Sequence, residues 1–260
     1  VTDSTAWSEE TAQRYEQWGN SPMGRYVLAR EKRFLQHMVS PWPRRRQHLL
    51  EVGCGSGFFL EMFWEAGFDV TGIDRSPAMV TRARDRMGYR VDFHLGMAEE
   101  LPFDDNEFDF VALITVLEFC DDPARALREA HRVARKGVLV GFLNRFSLYY
   151  LSHGRKGKGR KSGLLRSAKW FSWPEMKRLL TENLGCHPMQ SRSILPGPTS
   201  TWKALPGLNQ FNELPLFPWC GSFAAVRVDL FGKPVVTPLL QWKKGRAGEP
   251  VDGVWGSFKC

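Results

Sequence analysis

The sequence predicts an α/β fold whose central sheet is mostly parallel, and three observations carry that expectation. First, the apolar run His48–Val52 gives way across Gly53, Gly55 and Gly57 to apolar residues at helical spacing from Phe58 to Ala66, so a strand turns into a helix there. Second, a further strand-like run, Phe68 to Ile73, ends in the acid Asp74. Third, 260 residues with 43% hydrophobic content suit one α/β domain with additions, and no second domain is required.

Strand, glycine turn, helix, strand and acid form the layout of a nucleoside-binding half-site. Glycines let the backbone take positive φ angles and let a ligand approach without meeting a Cβ, and the helix start behind them presents free N–H groups. A carboxylate at the tip of the second strand can accept both hydroxyls of a ribose. The turn reads E-V-G-C-G-S-G from Glu51 to Gly57. It lacks the G-x-x-G spacing that seats a pyrophosphate, which disfavours a nicotinamide enzyme and suits a positively charged ligand carrying a ribose.

The remaining elements follow in order. Helices are expected over about 5–19 and 25–39, ahead of the core. After the second strand come strands near 90–95, 108–113 and 137–143, with a helix over about 123–134 that starts behind the acidic pair Asp121 and Asp122, which suit an N-cap. Ser172 and Glu175 make a capping box across Trp173 and Pro174, launching a helix to about Glu182. Two last strands are placed near 187–194 and 222–230. The segment between them, rich in Pro, Gly and aromatic residues, is too long for a hairpin and too apolar for a free linker, so it should fold over something.

With these residues in view, the chain resembles the class I S-adenosylmethionine-dependent methyltransferases, specifically the type 11 group that includes quinone-biosynthesis methyltransferases. Asp74 to Met79 with Ala83 is similar to the group's D-x-S-x-x-M-x-x-x-A segment, Gly96–Phe103 with Asp104–Asp109 to its G-D-A-E-x-L-P-F-x-D-x-x-F-D signature, and Phe110–Pro123 to its fourth-strand block. The resemblance covers roughly residues 48 to 143. It implies a Rossmann-like seven-stranded sheet of order 3-2-1-4-5-7-6, strand 7 antiparallel, flanked by helices. It implies S-adenosyl-L-methionine as cofactor, held by Glu51, Gly53, Cys54, Gly55, Gly57, Asp74, Arg75, Met79, Met97, Ala98 and Thr115, with the glycines against the amino acid part and Asp74 on the ribose. Two positions depart from the group. Met97 stands where an Asp often reaches the adenine, and Phe119 stands where quinone-type relatives carry His after the fourth-strand Glu.

The domain reading is an N-terminal helical cap or lid over 1–40, a methyltransferase core over 41–232 with substrate-loop insertions at 144–171 and 195–221, and a tail over 233–260 with no interpretable motif. Tyr15 and Trp18 on the cap, with Asn144, Trp202 and Trp219 in the insertions, are the candidate acceptor-site residues. Glu118 and Tyr15 are the candidate catalytic groups, with His153 a further candidate base. Ordinary packing remains open for each of the aromatic residues.

Charge and cysteine content bound the partners. Seven of the eight net positive charges lie between Leu151 and Pro174, at Arg155, Lys156, Lys158, Arg160, Lys161, Arg166 and Lys169. These are interleaved with glycine and lack the alternating aromatics that stack bases, so they read as a solvated loop or an electrostatic lid, and a nucleic-acid partner is not expected. Five scattered cysteines with no C-x-x-C pair predict no metal site and suit a reducing compartment. No apolar run approaches 20 residues and the first residues are polar and acidic, so a cytoplasmic protein without a membrane span is expected. The expected function is methyl transfer to a small apolar or aromatic metabolite, an anionic one included. An RNA or protein methyltransferase using the basic segment, and a catalytically silent S-adenosylmethionine binder, stand as alternatives. The oligomeric state is not legible.

Overall fold

A computed structural model of the protein describes residues 8–154, 165, 168–203, 205 and 207–230. Six of the seven basic residues of the 151–174 segment, all but Lys169, and the whole 233–260 tail lie outside the described residues. Seven strands, β1 (His48–Val52), β2 (Asp69–Asp74), β3 (Asp92–Leu95), β4 (Phe108–Ile114), β5 (Ala134–Leu143), β6 (Met189–Ile194) and β7 (Phe223–Asp229), form one sheet of order β3-β2-β1-β4-β5-β7-β6. The first five run parallel, and β7 is antiparallel to both β5 and β6.

Helices cover both faces, as a parallel sheet requires. Helices α2 (Pro22–Met38), α3 (Phe58–Glu65) and α4 (Pro77–Met87) share a core with Leu49, Phe110 and Ala112 on one face. On the other face α5 (Pro123–Val133) and α6 (Trp173–Leu184) pack on Leu50, Val111, Leu113 and Val138. Alternate residues of β1 and β4 thus point to opposite cores, which is why every residue of β4 is buried. Outside the sheet, α1 (Glu9–Asn20) leads into α2, and a short α7 (Leu208–Glu213) lies between β6 and β7.

Most element bounds shift by a residue or two from the sequence expectation, and the larger shifts have local causes. Helix α2 starts at Pro22 and not near Arg25, because Ser21 caps it through Gly24 N–H (3.0 Å) and Pro22 occupies the first turn. Strand β5 starts at Ala134 and not near Gly137, because the chain passes from α5 into the sheet without a loop. The capping box at Ser172 is present, with Glu175 accepting from the Ser172 N–H at 2.8 Å. Within 195–221 the chain makes a 3-10 turn at Thr199–Thr201, α7, and a bridge from Ser193 to Leu216. Glu213 of α7 pairs with Arg33 (2.8 Å) and Arg30 (3.4 Å), which ties this segment to α2.

Candidate active site

Everything that positions the site converges at the carboxyl ends of β1, β2 and β4. Gly53, Gly55 and Gly57 take φ angles of 66°, 53° and 82°, a region that side chains resist. At Gly53 the close approach is decisive, since a Cβ there would meet Val116 Cγ2 at 2.5 Å. Asp74 fixes the turn from the neighbouring strand. Its carboxylate accepts the Gly55 N–H at 2.8 Å and the Ser76 N–H at 2.9 Å. Burial pushes the Asp74 carboxyl upward in pKa, and these N–H donors oppose that push.

Above the turn opens a cavity of about 860 Å³. Its walls come from the glycine turn, from Thr115 and Val116 after β4, from α2, and from Tyr149 and Trp202 in the segments that follow β5 and β6. Thr115 has a positive φ of 56° and donates its N–H to Gly141 O at 2.8 Å, so strained backbone ends β4 at the cavity wall. Helix α1 forms the cover. Tyr15 lies over Gly55, stacks on Trp18 and meets Phe58 edge-on, each ring pair 5.7 Å apart. Arg86 of α4 binds Glu16 at 2.5 Å while its guanidinium lies 4.2 Å over Phe58, and Arg82 binds Glu9 at 2.5 Å.

Of the residues expected at the site, Glu51, Gly53, Cys54, Gly55, Asp74, Arg75, Met79, Ala98, Thr115, Tyr15, Trp18 and Trp202 line this cavity, as does His153. Five do not. Gly57 packs on Ala83 and starts α3. Met97 is 42% exposed, while its neighbours Gly96 and Ala98 line the wall. Asn144 is fully buried and donates to the Pro218 and Gly221 carbonyls (3.2 and 2.9 Å), pinning the last loop to the end of β5. Trp219 is half exposed, away from the cavity.

Glu118 points into the protein: it accepts the Leu143 N–H at 2.6 Å, its other oxygen is buried without a hydrogen bond, and burial pushes it up to about 8. It therefore ties the end of β4 to the end of β5. Tyr15 is pushed above the ordinary tyrosine range, by burial first and then by the charges of Glu31 and Glu51, so its hydroxyl stays protonated at neutral pH. Burial likewise raises the Cys54 thiol well above its ordinary value, which removes it as a nucleophile.

Among the lining residues that escaped the sequence reading are Glu31, Tyr149 and Glu99. Glu31 had a signal. The buried residues of α2 include Gly24, Val27, Leu28, Glu31, Phe34, Leu35 and Met38, an apolar stripe at helical spacing with one acid in its middle. Glu99 accepts the Asp121 N–H at 2.9 Å, which explains its burial.

The chemistry of the lining fits S-adenosylmethionine. One carboxylate oxygen of Glu51 is buried beside the glycine turn without a hydrogen bond, which suits an incoming N–H or O–H donor. Asp74 stands at the end of β2 with lone pairs left beyond its two backbone bonds, as a ribose diol needs. Sheet order, glycine turn and strand-end acid are the arrangement of class I S-adenosylmethionine-dependent methyltransferase domains. Residues 50–142 match the type 11 family model described as a methyltransferase domain.

Among curated relatives, the chain is 36% identical over 96 residues to a malonyl-[acyl-carrier protein] O-methyltransferase of Serratia marcescens, covering 37% of each chain. It is 37% identical over 112 residues to a ubiquinone biosynthesis O-methyltransferase of Pseudomonas paraeruginosa, covering 40% of this chain and 47% of that one. The chain thus spans less than half the length of either. A solved S-adenosylmethionine-dependent methyltransferase of Thermotoga maritima, described as a possible histamine N-methyltransferase, shares 26% identity. Its TM-score is 0.68, with 87% of this chain and 100% of that chain covered. Among the described residues no group of His, Cys, Asp and Glu could hold a metal, and no helix is long and apolar enough to cross a membrane.

Proposed function

We propose that the protein transfers a methyl group from S-adenosylmethionine to a small apolar or aromatic acceptor. The observation that supports this best is the continuity of one cavity, lined both by the Asp74-anchored glycine turn and by the aromatic side chains of Tyr15, Trp18, Tyr149 and Trp202. The donor, when bound, supplies an electrophilic methyl on a sulfonium. The chain's own residues bind, orient and exclude water, which is most of what an in-line displacement asks of a protein. In this reading Asp74 takes the ribose, the turn and Glu51 take the amino acid part, and Ala98 borders the base. Tyr15 and Trp18 close the cover, and residues 1–40 act as a cap.

The charge of the lining bears on the acceptor. Glu31, Glu51, Asp74 and Glu99 line the cavity together with Arg14 and Arg75, so carboxyl groups outnumber guanidinium groups on the described walls. Glu118 holds the sheet and not the acceptor, which leaves it no place as a base. Helical cover over the cavity also fits a small molecule better than a strand of RNA.

Titration calorimetry with S-adenosylmethionine, its demethylated product S-adenosylhomocysteine and NAD tests the donor assignment. Binding of the first two in preference to NAD is expected; preference for NAD would overturn the reading.

A further inference from the structure

Glu31 is the residue of the cavity that the donor does not explain. It replaces an apolar residue in the buried stripe of α2, between Leu28 and Phe34, and only 9% of its surface is accessible. No hydrogen bond or ion pair to its carboxylate is found among the described residues, although its neighbours Arg30 and Lys32 reach Glu213 and Glu61. Without a partner the charged form of this carboxyl is disfavoured, and a cation entering the cavity is the ligand that would stabilise it. Glu31 lines the same cavity as Tyr15, Tyr149 and Trp202. Its charge is felt by the hydroxyls of Tyr15, from the cover, and Tyr149, from beyond β5. Tyr149 in turn packs on Trp202, ring centroids 4.9 Å apart.

We propose that the methyl acceptor is a small apolar amine, taken up as its ammonium ion by the Glu31 carboxylate within the rings of Tyr15, Tyr149 and Trp202, and methylated on nitrogen. This rests on the donor reading above and names its substrate class. An ammonium ion fits on two independent counts. It meets a desolvated carboxylate with charge-assisted hydrogen bonds, and aromatic faces attract cations within about 6 Å. An alcohol or phenol would leave the carboxylate's charge uncompensated, and a carboxylic acid would be repelled.

The step balances without any further reactant. The ammonium passes one proton to the Glu31 carboxylate, and the freed nitrogen lone pair forms the bond to the donor's methyl carbon. The carbon–sulfur bonding pair stays on sulfur, which becomes a neutral thioether. The product leaves as an N-methylammonium ion, and Glu31 returns its proton to solvent. Burial pushes the Glu31 carboxyl up to about 8, near the range in which it can exchange a proton with an amine. Besides the two tyrosines, the titratable and charged groups lining the cavity with Glu31 are Arg14, Glu51, Cys54, Asp74, Arg75, Glu99, Cys120 and His153.

The experiment uses the full chain saturated with S-adenosylhomocysteine and three probes of one shape: 2-phenylethylamine, 2-phenylethanol and phenylacetate. Tryptophan fluorescence and calorimetry read binding. The amine is expected to bind at least about tenfold more tightly than either isostere, and Glu31→Gln to weaken it roughly ten- to a hundredfold. That variant is expected to keep its affinity for S-adenosylhomocysteine and to bind 2-phenylethanol no worse than wild type. Glu31→Asp should recover part of the amine affinity, and the rate of N-methylation against pH should lose its rise near 8 in Glu31→Gln. Equal binding of the three probes, amine binding unchanged in Glu31→Gln, no amine binding at millimolar concentration, or loss of S-adenosylhomocysteine affinity in Glu31→Gln would each overturn the amine assignment. Failure of the wild type to bind S-adenosylhomocysteine would instead remove the donor reading itself.

Discussion

Asp74 and the glycines it touches separate donor binding from folding. In the donor site proposed above, Asp74→Ala would remove two charge-assisted hydrogen bonds to the ribose, and it frees the Gly55 and Ser76 N–H groups that shape the turn. With each such bond worth about 1.5–3 kcal/mol and partial overlap, donor affinity should fall by roughly 2–4 kcal/mol, read by calorimetry. Unchanged affinity would remove Asp74 from the donor site. Gly53→Ala and Gly55→Ala form a matched pair. Both force a side chain into the left-handed region, at a cost of about 1–2 kcal/mol. Only at Gly53 does the new methyl run into Val116, at 2.5 Å; at Gly55 it reaches the Tyr15 ring at an ordinary 3.7 Å. Thermal unfolding should therefore show Gly53→Ala as the less stable variant. Gly55→Ala should lose mainly donor affinity, because its methyl enters the space between turn and cover.

At the scale of elements, α1 is tied to α4 by two ion pairs. Arg82 and Arg86 lie one turn apart on α4 and grip Glu9 and Glu16, two turns apart on α1. Exposed ion pairs contribute about 0–1 kcal/mol each, and the Arg86 guanidinium over Phe58 adds about 0.5–1 kcal/mol or more. The double variant Arg82→Ala/Arg86→Ala should leave the sheet intact, speed amide hydrogen exchange through α1 and weaken donor binding. Exchange and affinity equal to wild type would make α1 a static part of the shell. The glycine turn, the acid at the end of β2 and the capping box were legible in the sequence because each is local: its residues sit within a few positions of the backbone they shape. Glu31, Tyr149 and the inward turn of Glu118 were not. Their roles are set by which elements pack together, and a helix seen alone does not say that its buried stripe faces a cavity. The fold of 195–221 was hidden for the same reason, since Asn144, Arg33 and Glu213, which pin it, are far apart in sequence.

Across the whole molecule, buried carboxyls give stability a distinct pH dependence. Glu31 and Glu118 are pushed up to about 8 and Glu51 well above its ordinary 4.5, in each case by burial first. For such groups the folded state holds protons that the unfolded chain has released. Their contribution is fully present below about 4.5 and is lost as pH rises through about 8. Asp109 behaves in the opposite sense. Burial works against it, but the Arg135, Lys136 and His48 N–H partners hold its carboxyl below the usual value, so its contribution is present above 3.8 and lost on further acidification. The ligand-free protein should therefore be most stable in mildly acidic solution and lose melting temperature steadily between about pH 5 and pH 8, with a slope set by protons and not by salt. Glu118→Gln keeps an oxygen for the Leu143 N–H and removes the proton. It should match wild type near pH 5 and exceed it above pH 8, as measured by calorimetric unfolding across that range. A wild-type curve that is flat or rising from pH 5 to pH 8, or a Glu118→Gln variant less stable than wild type at pH 8, would show that these carboxyls ionise in the folded protein without cost.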